Sequence, residues 1–178
     1  MFSYDPYAEL ATLKNFAPLT VTSENVRDGE PLAMAQWGAR GGGSDSSPQL
    51  SWSAGPVGTL SYAVTCFDPD APTGSGFWHW AVCNIPATVT SLAENAGAPG
   101  SQLLPAEALT LPNERRLTSF IGAGPPPTTG AHRYIFAVHA VDVATLDVDP
   151  QSTPAVLGFN LHFHTLARGT LTGTASAD

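Results

Sequence analysis

Asp68-Pro69-Asp70-Ala71-Pro72 is the densest chemistry-bearing stretch of the chain. Its two prolines fix φ at two points and remove two backbone donors, so a stiff segment presents two carboxylates two residues apart. In an extended segment such residues face the same side. Two like charges held that close raise the proton affinity of one, unless a cation or hydrogen-bond donors intervene. The same residues also read as a turn whose aspartates accept from neighbouring amides. Phe77-Trp78-His79-Trp80 follows, with His79 nine residues after Asp70. Strand alternation puts Phe77, His79, Ala81 and Cys83 on one face, and Trp78, Trp80 and Val82 on the other. A lone strand histidine is usually structural. One beside carboxylates tends to be held as imidazolium, which can donate to an anion.

A third stretch runs Ile121-Gly122-Ala123-Gly124-Pro125-Pro126-Pro127 and leads to Gly130-Ala131-His132-Arg133-Tyr134. Glycines let a backbone approach a ligand closely and turn its N–H groups inward. His132 and Tyr134 share one face of the strand that follows, and Arg133 takes the other. Alone, such a Gly-Pro run is also an ordinary loop.

These residues need strands to position them. Leu60–Phe67, Phe77–Ile85 and His132–Val141 read as strands, the last apolar on both faces and therefore central. Leu19–Ser23 and the Leu50/Trp52 alternation are shorter strands, the latter with one wet face. Asp5-Pro6 starts a short helix over Pro6–Leu13. Thr153-Pro154 starts another, in which Leu157, Leu161, Phe163 and Leu166 recur at helical spacing as far as Gly169; Thr170–Thr174 reads as a last short strand. Ala87–Leu111 is a long connection with little regular structure. Without repeats or linkers, residues 1–178 read as one β-rich domain.

Composition limits the partners. The net charge is −8 and only 12% of residues are charged, against about 25% in an average domain. A single lysine and six scattered arginines give no basic footprint for nucleic acid or an anionic membrane surface. No apolar run is long enough for a membrane span, and Met1–Leu10 lacks the pattern of a signal peptide. Cys66 and Cys83 then read as buried thiols of a reducing cytoplasm. Any anionic partner must be attracted locally, against the net charge.

Asp68-Pro69-Asp70-Ala71-Pro72, Phe77-Trp78-His79-Trp80, Gly124-Pro125-Pro126 and Gly130-Ala131-His132-Arg133-Tyr134, in this order and spacing, resemble the signatures of the phosphatidylethanolamine-binding protein family, which includes the Raf kinase inhibitor proteins. The likeness covers about residues 16–174, and the compact Gly/Pro-rich form is similar to the bacterial branch. It implies a mainly β fold, a β-sandwich of two antiparallel sheets with a few short peripheral helices. It implies a pocket for phosphate, a phosphoryl head group of a lipid, or a small carboxylate, formed by Asp68, Asp70, Pro72, His79, Gly124, Pro125, His132 and Tyr134. Arg133 and Trp78 stand as structural support, Trp78 where animal members often have another histidine. The family's proline motif makes Ala71-Pro72 the candidate cis bond. The likeness further implies inhibition of a kinase or a protease, and a homodimer, with no cofactor.

Other chemistries fit less well. A hydrolase or phosphotransfer enzyme using the same Asp/His pocket lacks a nucleophile motif, since Ser75 sits in a Thr-Gly-Ser-Gly loop with no evident base. A metal held by His79, His132 and Asp70 has no tight ligand spacing. His162 and His164, two apart on a helix, do not share a face. His139 reads as a sheet residue with no special task.

Overall fold

The computed structural model describes residues 4–177. Helix α1 (Pro6–Leu13) begins at Asp5, whose carboxylate accepts from the Tyr7 and Ala8 amides at 2.9 and 3.1 Å, with Pro6 in the first turn. The long strands are β4 (Ser61–Asp68), β5 (Phe77–Pro86), β8 (His132–Val141) and β9 (Thr165–Ala175). Short strands are β1 (Ala17–Pro18), β2 (Val21–Thr22), β3 (Leu50–Trp52), β6 (Ser91–Leu92) and β7 (Leu109–Thr110). The last two are the only strands in the long Ala87–Leu111 connection.

Six strands form one sheet in the order β1-β9-β8-β4-β5-β7, antiparallel except for β1 beside β9. A smaller antiparallel sheet runs β2-β3-β6. The main core lies between them: Leu50, Trp52 and Leu92 pack against Tyr62, Val64, Trp80, Phe136 and Val138. A second core lies on the outer face, where Ala63, Ala81, Cys83 and Val141 sit under Leu157 and Leu161 of helix α2 (Pro154–His164). Strands β4 and β8 are therefore covered on both faces, which is why their sequences are almost continuously apolar. Together the layers are a mainly β architecture of two sheets with two short helices.

The chain departs from the sequence expectation after His164. The helix ends there, and Leu166 and Gly169 belong to β9, which pairs with β8 along its whole length. Its buried positions alternate at Thr165, Ala167, Leu171, Gly173 and Ala175 with less buried ones between, the strand period. Phe163, which extended the helical pattern, points into solvent.

Candidate functional site

A β-bulge places His79. Cys66 pairs with Trp80 but Phe67 pairs with Trp78, so His79 is an extra residue on β5. His79 and Trp80 consequently both turn to the inner side. The His79 ring meets Tyr134 edge-on at 5.0 Å between centroids, while Trp78 turns outward onto Phe67 at 4.3 Å. Simple alternation had put Trp80 opposite His79; the bulge shifts the face on which each side chain lies.

The turn after β4 separates the two aspartates instead of aligning them. Asp68 Oδ1 accepts from the Asp70 and Ala71 amides at 2.8 and 3.0 Å, so the chain bends at once and is not extended. Asp68 Oδ2 receives Nδ1–H of His132 at 2.8 Å. Asp70 turns to Arg133, taking Nε at 2.7 Å, one terminal nitrogen at 3.0 Å and the backbone amide at 3.0 Å. Each carboxylate thus has its own cation or donor set, although both are buried. The Ala71–Pro72 bond is trans, as are all peptide bonds among the described residues. The turn is closed by the Asp68 hydrogen bonds and by the Thr73 amide on the Ala71 carbonyl at 2.7 Å. Gly76, at φ +68°, ends it where any Cβ would strike the Phe67 ring and the Asp68 carbonyl.

His79 donates Nδ1–H to the Ile121 carbonyl at 2.9 Å; a carbonyl only accepts, so this nitrogen carries the hydrogen. Burial pulls the His79 pKa below its ordinary value, outweighing the Ile121 carbonyl and Asp68. The ring is therefore neutral at neutral pH, contrary to the sequence expectation of an imidazolium, and Nε2 is an acceptor that no described residue takes. His132 is wholly enclosed. Its Nε2 lies 2.8 Å from Thr129 Oγ1, which itself donates to the Pro126 carbonyl at 2.6 Å. Both ring nitrogens of His132 thus lie against polar oxygens, and neither faces outward.

Tyr134 is buried, and its hydroxyl accepts the Gly124 amide at 3.2 Å. Burial, then Asp68, pushes its pKa up, so it stays a donor. Gly124 is exposed with open space around its Cα, whereas Pro125 is buried and Pro72 exposed on the turn. Gly122 serves a different closeness from the one its sequence suggested. A Cβ there would enter the Trp37–Gly38 backbone, and its amide donates to Asp45 Oδ1 at 2.7 Å. Thr129, Ile121 and Asp45 were missed in the sequence. Of these, only Thr129 carried a signal, three residues before His132 across the Gly130 turn.

The structure thus brings Asp68, His79, His132, Tyr134 and Gly124 together, with Asp70 and Arg133 behind them, and sends Trp78 to the opposite face. The cluster is tightly packed. A cavity of about 390 Å3 lies along the Pro69–Gly76 turn and one of about 470 Å3 on the outer face; none of the five cluster residues lines either. Among the described residues no three His, Cys, Asp or Glu side chains converge as metal ligands. Cys66 and Cys83 are free and buried, and burial raises both thiols out of the reactive range. Among the described residues no helix is long and apolar enough to cross a membrane.

A family model described as phosphatidylethanolamine-binding protein matches residues 22–176. UPF0098 protein YbhB of Escherichia coli (strain K12) is 42% identical over 160 residues, 89% of this chain and 100% of that protein. UPF0098 protein YbcL of the same organism is 42% identical over 160 residues, 88% of this chain and 86% of that protein. The crystal structure of E. coli YbcL, described as a new member of the mammalian PEBP family, superposes with a TM-score of 0.86 at 40% identity, covering 91% of this chain and all of that one. A carboxypeptidase Y inhibitor complexed with its cognate proteinase shares the fold at TM-score 0.54 and 16% identity, covering 97% of this chain and 91% of that one.

Proposed function

Because the chain belongs to the phosphatidylethanolamine-binding protein family, we propose that the Asp68/His79/His132/Tyr134 cluster binds a small phosphoryl or carboxylate group entering beside Gly124. The observation that carries this is the His79 Nε2 atom, an imidazole acceptor on a nearly buried ring that no described residue takes. A ligand oxygen that keeps its proton donates to Nε2. An unprotonated oxygen accepts from the Tyr134 hydroxyl, whose own oxygen holds the Gly124 amide. The pairing of Asp68 with His132 and of Asp70 with Arg133 means that no bare carboxylate repels the anion. The protein acts by occupying a phosphorylated or carboxylate-bearing segment of a kinase or protease, and its buried thiols suit a reducing, cytoplasmic setting.

An anion beside His79 favours the charged ring, so binding takes up a proton and tightens as pH falls from 8 to 6. Calorimetry with phenyl phosphate tests this. His79→Ala is expected to weaken binding at least tenfold and Tyr134→Phe about threefold. Equal affinity in wild type, His79→Ala and His132→Ala sinks the assignment.

One observation favours a hydrolase instead. Thr129 Oγ1, His132 Nε2 and Nδ1, and Asp68 are linked at 2.8 and 2.8 Å in the order of a nucleophile–base–acid triad. Against it, the Thr129 hydroxyl is committed to the Pro126 carbonyl and the base is fully enclosed. Ester turnover lost in Thr129→Val, measured on the same samples, would turn the assignment toward catalysis.

A further inference from the structure

The 470 Å3 cavity lies on the outer face of the six-stranded sheet, across the sheet from the Asp68–His132 pair. Helices α1 and α2 wall it. Phe67 and Trp78 form part of its floor, and Leu10, Leu13 and Phe159 stand exposed at its rim. Its lining is overwhelmingly apolar, with one cationic group. Arg168 of β9 lies directly across from His139 of β8, so the two side chains are neighbours on this face. The guanidinium rests on the Tyr7 and Phe16 rings at 5.0 and 5.1 Å and donates one hydrogen bond, to the Tyr7 carbonyl at 2.8 Å.

A guanidinium has five donors, and no other described group accepts from Arg168. No described carboxylate lies within ion-pair distance of it either, whereas Arg133 has Asp70. Burial pulls the Arg168 pKa down, the sign of a cation short of compensation. His139 beside it is buried, with Nδ1 on Thr165 Oγ1 at 3.0 Å and Nε2 taken by no described residue. A partly desolvated cation and an imidazole nitrogen therefore sit among apolar walls.

An anion that brings its own apolar body satisfies both halves of this surface. A carboxylate matches the planar fork of arginine and is compact enough for so small a polar area. The volume is toward the lower part of the range for small-molecule sites, roughly 300–1,000 Å3, which suits one medium-length chain and not the two of a bilayer lipid. We propose that this cavity binds a medium-chain aliphatic monocarboxylate, its head on Arg168 beside His139 and its chain against Phe67, Trp78 and Phe159. This site is independent of the Asp/His cluster.

Titrating the full chain with decanoate and decanol below their aggregation limits, by calorimetry and tryptophan fluorescence, tests it. Decanoate should bind this cavity saturably and weaken there at least tenfold in Arg168→Met, while decanol changes less than twofold. Arg168→Lys, which keeps the charge without the fork, should lie between. Gly158 lines the cavity, and a Cβ there meets nothing within 4 Å, so Gly158→Leu should fold and exclude both probes. His79→Ala, which disables the carboxylate site proposed for the Asp/His cluster, should still bind decanoate in this cavity. The proposal is overturned if decanoate fails to bind, if Arg168→Met or Gly158→Leu binds it as wild type does, or if His79→Ala abolishes it. It is also overturned if Phe159→Asp dissolves a dimer that excludes the probe, because the rim is then covered by a second copy.

Discussion

Strand β8 carries two buried histidines seven residues apart, and they meet opposite fates. His132 points inward at the start of the strand, where Asp68 takes one ring nitrogen and Thr129 faces the other. His139 points outward near its end, bonded only to Thr165 and facing the Arg168 guanidinium. Burial, reinforced by Arg168, pushes the His139 pKa down to about 3. An odd spacing on a strand sends the two rings to opposite faces of one sheet, so residue type and burial are shared and only the partners differ. What an imidazole can do in this fold is decided by whether a carboxylate or a cation was built across from it.

Removing that carboxylate is the strongest way to break the contrast. Asp68→Ala leaves the enclosed His132 Nδ1–H without its acceptor and strips the Asp70 and Ala71 amides of theirs. The expected loss is about 3 kcal/mol or more, since each of three buried donors left without an acceptor costs about 1–3 kcal/mol, measured by urea unfolding. A loss below about 1 kcal/mol would mean that the pair does not organise this end of the sheet.

The second contrast is in pH. The folded-state pKa of His139 lies below its unfolded value, so the unfolded chain binds the proton more readily. Its contribution is present above pH 6.5 and is lost as pH falls toward about 3. Between pH 7 and pH 4 this amounts to at most about 3 kcal/mol. His139→Gln, which keeps a hydrogen-bonding amide near Thr165 but does not titrate, should flatten the fall in unfolding free energy over that interval. His79, lowered also, adds a slope of the same sign that remains in the variant. An unchanged acid slope in His139→Gln would assign acid sensitivity to the other face.

Much of the frame of this contrast was legible in the sequence, and its partners were not. Asp5-Pro6 announced α1, and the apolar run His132–Val141 announced a central strand, because capping and two-sided burial leave local marks. The bulge at His79 leaves none, since it exists only in the pairing of β5 with β4. Beyond His164, Leu166 kept helical spacing by coincidence, while pairing with β8 made the segment a strand. Motif order collected Asp68, His79, His132 and Tyr134. It could not show that Asp70 leaves the group for Arg133, or that α1 folds over β9 to set Tyr7 beside Arg168.

The smallest effects compare the hydroxyl groups that serve the two faces. Thr129 Oγ1 donates to the Pro126 carbonyl at 2.6 Å and lies 2.8 Å from His132 Nε2, and Thr129→Val keeps the shape while removing the hydroxyl from both, at a cost of about 1–3 kcal/mol. Tyr7 Oη lies a longer 3.3 Å from Thr65 Oγ1, and Tyr7→Phe keeps both the ring under Arg168 and the carbonyl that accepts from it. That change should cost only about 0.5–1.5 kcal/mol. It should also leave decanoate affinity within twofold, because the cation's supports are untouched. If Tyr7→Phe proves the more damaging of the two, the outer hydroxyl pair is the tighter network, and the polarity of the sheet must be assigned the other way round.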